Sequence, residues 1–154
     1  MTFLIRTAVA ADIPNILDLE RACDTAAHWT EEQYRQIFQA FEDNHERLLL
    51  IAEDGAHGFG GFLVAHRVHQ EWELENIVVV PDARRKGLAT MLLRELVSRA
   101  QAARGEFVFL EVRESNAAAR AFYVKAGFEE TSRRKAYYAN PVEDAVLYRL
   151  RIAS

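Results

Sequence analysis

Cysteine is almost missing from this chain. Cys23 is the only one, so no internal disulfide can form and the fold must be held by its core. A reducing compartment is the simplest setting, and Cys23 itself reads as a small buried hydrophobe. Metal-ligand patterning is missing too: the five histidines, at 28, 45, 57, 66 and 69, show no ligand spacing, and no metal is expected. No apolar run approaches the ~18 residues of a membrane span. The opening MTFLIRTAVAAD has no signal-peptide pattern, so a cytoplasmic protein with no membrane partner is expected. A basic excess is also absent. The formal net charge is −4, from 23 acidic and 19 basic residues, which argues against a broad nucleic-acid surface and permits a cationic substrate. Neither GxxxxGKS/T nor GxGxxG occurs, which excludes a Walker loop and a dinucleotide fingerprint. There is no internal repeat, low-complexity segment or linker.

What is present is a globular profile. The 154 residues fit one domain, 1–154, with 50% hydrophobic and 27% charged residues. Phe3 to Thr7 reads as a short strand. Asp12 is placed to cap a helix with Pro14 in its first turn, where a missing N–H costs little. Ile13, Ile16 and Leu17 give that helix one apolar face. Thr30-Glu-Glu-Gln33 is a capping-box pattern, and Tyr34, Ile37, Phe38 and Phe41 follow at helical spacing. Leu48 to Glu53 and Phe59 to Val68 read as strands joined by a turn at Asp54-Gly55 and His57-Gly58. Trp72 to Val80 is a third strand, ended by Pro81. A helix runs from near Gly87 to about Ala103 and is stopped by Gly105. Phe107 to Val112 is a dense strand, and Ser115 or Asn116 can cap a helix through Ala126, with Gly127 as its stop. Strands follow around Glu130 to Tyr138 and Ala145 to Ile152. This order predicts an α/β (α+β) sandwich around one twisted sheet.

The segment from Val78 to Thr90 carries the first chemical signal. A β-branched strand, Val78-Val79-Val80, runs into the basic turn Arg84-Arg85-Lys86, and a helix opens at Gly87 through Leu88, Ala89 and Thr90. Unpaired N–H groups at a helix start bind anions, and the helix dipole adds partial positive charge. Gly87 allows close backbone approach, and Ala89 is nearly as small. The three cations add charge-assisted contacts. A pyrophosphate fits this pattern; so does a plain strand–turn–helix with a solvated basic turn.

A second block, Leu110-Glu111-Val112-Arg113-Glu114-Ser115-Asn116 through Ala121-Phe122-Tyr123 to Gly127-Phe128, settles the comparison. The first loop resembles the acetyl-coenzyme-A motif Gln/Arg-x-x-Gly-x-Gly/Ala of the GNAT superfamily. The second resembles that superfamily's Leu-Glu-Val-x-x-Ser-Asn-x-x-Ala-x-x-Leu/Phe-Tyr-x-x-x-Gly-Phe segment, in the expected order. The resemblance covers nearly the whole length. It implies the GNAT fold, a mixed, mostly antiparallel sheet of about six or seven strands flanked by about four helices. It also implies N-acetyl transfer from acetyl-coenzyme A. Within the superfamily the chain is most similar to the group that acetylates a ribosomal-protein alanine. Trp29-Thr30, Asn76-Ile77-Val78-Val79, Arg133-Arg134, Tyr137-Tyr138 and Glu143-Asp144-Ala145 carry that likeness. Two places depart from it: the stretch from Tyr138 to Glu143 is shorter than in that group, and Trp72, Glu73 and Glu75 stand where that group is more apolar. Both fall where acceptor choice would be set.

The resemblance implies roles. Ile77, Val78, Val79 and Val80 would pair their backbone with the pantetheine amides and aim an N–H at the carbonyl oxygen. Arg84 to Thr90 would hold the diphosphate. Glu111 is the first candidate for a base, and Glu75 competes because other superfamily members take a base from the preceding strand. Tyr123 would be the general acid toward a departing thiolate, since its hydroxyl, near pKa 10, can donate to a group near 8.5. Asn116 and Tyr123 lie about two helical turns apart and share a face. Against these roles stand an ion-paired Glu111, a packing Tyr123 and an Asn116 that only caps. Trp29, Glu75, Asn76, Tyr137 and Tyr138 are candidate acceptor contacts; rim packing explains the aromatics equally well. Glu71, Glu73 and Glu75 alternate along one face, to attract a cationic acceptor or simply to meet solvent. The acceptor is expected to be a protein N-terminus, of a ribosomal protein in particular, or a small amine, bound by a monomer or weak dimer. A non-catalytic acyl-coenzyme-A-binding module is the third reading.

Overall fold

The computed structural model describes residues 3–23, 26–39, 47–55, 58–83 and 87–152. Strands β1 (Phe3–Thr7), β2 (Arg47–Asp54), β3 (Gly58–Val68), β4 (Glu71–Val79), β5 (Phe107–Arg113), β6 (Glu129–Tyr138) and β7 (Glu143–Arg151) form one sheet in the order β1-β2-β3-β4-β5-β7-β6. Helices α1 (Ile13–Arg21) and α2 (Glu31–Gln39) precede β2; α3 (Leu88–Ala102) joins β4 to β5, and α4 (Ala117–Lys125) follows β5. All strand pairs are antiparallel except β4 with β5. This is the expected mixed α/β fold. Among the described residues, no helix is long and apolar enough to cross a membrane.

Alternation along the central strands builds a core on each face of the sheet. Leu50, Ala52, Leu63 and Ala65 point to the side covered by α3, with Leu88, Leu92 and Leu96. Leu49, Ile51, Phe62 and Val64 point to the other side, with Ile13, Ile16 and Leu17 of α1 and Tyr34 of α2. Gly60 and Gly61 allow the site end of this sandwich to close. A Cβ on Gly60 would lie 2.9 Å from Leu88 Cδ2, and one on Gly61 would lie 2.6 Å from the Val78 carbonyl oxygen. Bare backbone there lets the start of α3 settle on the sheet.

Two local expectations change. Asp12 does not cap α1 with its side chain; a 3-10 turn, Ala10–Asp12, comes first. The Asp12 carboxylate instead accepts from the Val9 N–H at 2.8 Å and from Arg6 at 2.7 Å, which ties the end of β1 to α1. After α3 the left-handed residue is Arg104 (φ 60°), not Gly105; the N–H groups of Arg104 and Gly105 close on the carbonyls of Gln101 and Ala100. The Thr30–Gln33 box forms as expected, with reciprocal bonds of 2.8 and 3.2 Å. Phe41, His45 and His57 lie outside the described residues.

The break in the sheet matters most. β4 and β5 pair only from Glu71 to Glu73 against Phe107 to Phe109. Beyond that the strands part. The β3–β4 register also slips there, with Val64 opposite Asn76 and Ala65 opposite Leu74, so Glu75 is an extra residue on β4. Such a bulge bends its strand and re-aims side chains.

Candidate active site

The parting of β4 and β5 opens a cleft of about 870 Å³. Its walls include Glu73 to Val79 of β4, Leu110 to Arg113 of β5, Asn116 and Tyr123, together with Trp29 and the Tyr137-Tyr138 pair. One wall is an open strand edge. The Val80 N–H is spent on Gly60 at 2.9 Å, so it faces β3. Strand alternation then turns the N–H and C=O of Val79 and Ile77 toward the cleft and those of Val78 toward β3. Val78 and Val79 themselves bury their side chains, in the cores on opposite faces.

At one end of this edge stands the start of α3. Gly87 has φ 78° and ψ 13°, a left-handed conformation, and a Cβ there would meet nothing within 4 Å. The first-turn N–H groups of α3 have no intrahelical acceptor, and no side-chain cap is found for them among the described residues. The following residues divide. Leu88 is fully buried in the core, Ala89 lines the cleft, and Thr90 lines a separate groove between α3 and α4. Arg84, Arg85 and Lys86 lie outside the described residues.

Helix α4 supplies the opposite wall. Asn116 is its N-cap, its side chain accepting from the Ala119 N–H at 3.2 Å, so capping and cleft lining coexist in one residue. Tyr123 is nearly buried, its ring against Phe122, Phe128 and Tyr148 at centroid distances of 5.3, 5.6 and 6.4 Å. Burial pushes its hydroxyl well above the usual tyrosine range, so it keeps its proton at neutral pH. Gly127, at φ 103°, ends the helix, and Phe128 N–H closes on the Tyr123 carbonyl at 3.0 Å.

Three carboxylates, Glu73, Glu75 and Glu111, line the cleft. Glu111 pairs with Arg134 at 3.3 Å, and its charge and hydrogen bond raise the pKa of Tyr137. Glu75 holds Arg47 through two bonds of 3.0 and 3.1 Å, and the Arg47 guanidinium lies 5.1 Å from the Trp29 ring centre. Glu73 forms no ion pair among the described residues. Burial, then the charges of Glu75 and Glu111, hold its carboxyl above the usual glutamate range. Glu71 is exposed at the strand start. Tyr137 and Tyr138 form an edge-on pair at 5.1 Å; Arg134 lies over the first and Arg113 over the second. A register slip between Arg134 and Tyr138, with Ala136 at φ 50°, delivers both rings to the rim.

Sequence reasoning missed Glu73 as a distinct group and missed Glu20 altogether. Asn76 lines the cleft, but its amide donates to Glu20 at 3.1 Å. Glu20 is 1% exposed. A signal existed: Glu20 stands where the helical spacing of Ile13, Ile16 and Leu17 places the next apolar residue.

Comparison with known proteins adds names. Residues 13–128 match the model of the acetyltransferase (GNAT) family. The ribosomal protein bS18-alanine N-acetyltransferase of Salmonella typhimurium is 34% identical over 146 residues, 90% of this chain and 99% of that protein. Its Escherichia coli counterpart is 31% identical, covering 97% of each chain. The crystal structure of the E. coli ribosomal-protein-S18-alanine N-acetyltransferase superposes with a TM-score of 0.83 at 29% identity, over 99% of this chain and 96% of that one.

Proposed function

The chain belongs to the GNAT acetyltransferase family and is an N-acetyltransferase, and we propose that it acetylates the N-terminal α-amine of a protein, a ribosomal protein with a leading alanine in particular. The single observation that carries this reading is the parted β4–β5 cleft, with the glycine-led start of α3 at one end and three carboxylates at the other.

The residues fit acetyl-coenzyme A. The open, Cβ-free face of Gly87 leaves room for a phosphate at the N–H groups of α3. Arg84, Arg85 and Lys86 flank that start in sequence and supply positive charge. The free edge of β4 at Ile77 and Val79 offers amides and carbonyls to an extended chain, and Ala89 keeps the passage clear. When bound, the cofactor supplies a thioester carbon to the amine. The chain's own work is orientation and proton handling. The Val79 N–H is the donor best placed on the open edge to polarise a carbonyl oxygen. Tyr123, kept protonated by its apolar surroundings, donates its proton to the leaving sulfur.

An α-amine, with pKa about 7.7–8.0, is partly neutral near pH 7.5, so a modest base suffices. Glu111 takes the proton; it lines the cleft and carries the residue pattern that the resemblance ties to this role. A second reading gives that role to Glu73, because its carboxyl is unpaired among the described residues and already raised. Tyr137, Tyr138 and Trp29 close the rim around the acceptor.

Mass spectrometry after incubation with acetyl-coenzyme A and three substrate classes tests the acceptor. Peptides with an N-terminal alanine are expected to gain one acetyl group at the α-amine, with internal lysine peptides and small amines unmodified. Preferential labelling of polyamines or amino acids would move the protein to the small-amine reading. Binding without any product would leave only the regulatory one.

A further inference from the structure

Glu20 is a buried acid that the chemistry above does not use. Its carboxylate sits in the last turn of α1, 1% exposed, and its three partners among the described residues are neutral donors. Oε1 accepts from the backbone N–H of Trp29 at 2.7 Å and from the Asn76 side-chain amide at 3.1 Å. Oε2 accepts from the Tyr34 hydroxyl at 2.8 Å. One side chain therefore joins α1, the segment leading into α2, α2 itself and the bulged part of β4. Burying an ionised group against neutral donors is costly, so its geometry must be satisfied almost completely.

The contacts continue outward. The Trp29 ring lies 5.4 Å from that of Tyr34, and the Arg47 guanidinium also lies over the Trp29 ring. Arg47 in turn grips Glu75 at the cleft. Trp29 is thus fixed at its backbone by Glu20 and at its ring by Tyr34 and Arg47. We propose that Glu20 is a positioning residue for the acceptor: by holding Trp29 and Asn76 against β4, it sets the acceptor wall without touching the reacting groups. This rests on the reading of that end of the cleft as the acceptor side. The cofactor side, at Gly87 and Asn116, shares none of these contacts.

Three variants test it. Glu20→Gln can keep its oxygen on Trp29 and Asn76 and donate its amide to the Tyr34 hydroxyl, so the peptide KM should stay within about 3-fold. Glu20→Leu fills the space but accepts nothing, and should raise the peptide KM about 10-fold or more, with the acetyl-coenzyme A KM moved less than about 2-fold. Tyr34→Phe, which removes one donor, should fall between them and serves if the leucine variant does not fold. Acrylamide quenching gives a reading independent of turnover. Of the two tryptophans Trp72 is buried, so quenching reports Trp29, and it should rise in Glu20→Leu and not in Glu20→Gln. Parallel rises of both KM values, or an unchanged peptide KM and quenching in folded Glu20→Leu, would overturn the proposal. If no peptide is acetylated by the wild-type protein, the acceptor reading has failed and the quenching contrast still decides whether Glu20 fixes Trp29.

Discussion

Tyr123 shows how much a single residue's surroundings decide. Its spacing from Asn116 puts both on one helical face, but spacing does not say whether the hydroxyl is a proton donor or the tip of a packing ring. In the fold three aromatic rings enclose it, it lines the cleft, and burial keeps its proton on, which is what the proposed donor role requires. Tyr123→Phe keeps the packing and removes only the donor. Turnover should fall about 10- to 1000-fold, with acetyl-coenzyme A affinity close to wild type. Steady-state kinetics at several pH values check this, and equal turnover throughout would end the acid role. Asn116 makes the same point more mildly, since its cap bond to Ala119 leaves it on the cleft wall.

At the scale of elements, the start of α3 ties local geometry to binding. Gly87 adopts a conformation that costs an L-residue roughly 1–2 kcal/mol, and nothing crowds its open face. Gly87→Glu should therefore lose about that much stability through backbone strain. It should lose far more acetyl-coenzyme A affinity, at least about 30-fold, because a carboxylate would block and repel the phosphate proposed to bind at this helix start. Thermal melts and isothermal calorimetry separate the two effects; wild-type affinity would remove the phosphate site from this turn. Strand β4 is the complementary case. Its residues read as a regular strand, and its fall into two halves, one paired with β5 and one with a free edge, depends on β5 diverging beyond Phe109.

Only the whole molecule brings the carboxylates together. Glu73 and Glu75 come from β4 and Glu111 from β5, and the charges of Glu75 and Glu111 reach Glu73 at the parted strands. Glu111→Gln should cost about 10²- to 10⁴-fold in kcat/KM, as for loss of a general base. Glu73→Gln should cost less. A larger loss from Glu73→Gln than from Glu111→Gln would transfer the base role to Glu73. The sequence by itself determined the elements, the anion-ready start of α3 and the pairing of Asn116 with Tyr123 on α4. Those follow from periodicity, caps and a left-handed glycine, which act within one segment. The tertiary structure alone decided where β4 and β5 part and which backbone edge stays open. It also decided that, among the described residues, Glu75 and Glu111 are paired with arginines while Glu73 is not, and that Glu20 meets Trp29 and Asn76. These depend on groups 9 to 56 residues apart meeting in space, as Glu20 does with Trp29 and Asn76, and no local pattern encodes such a meeting.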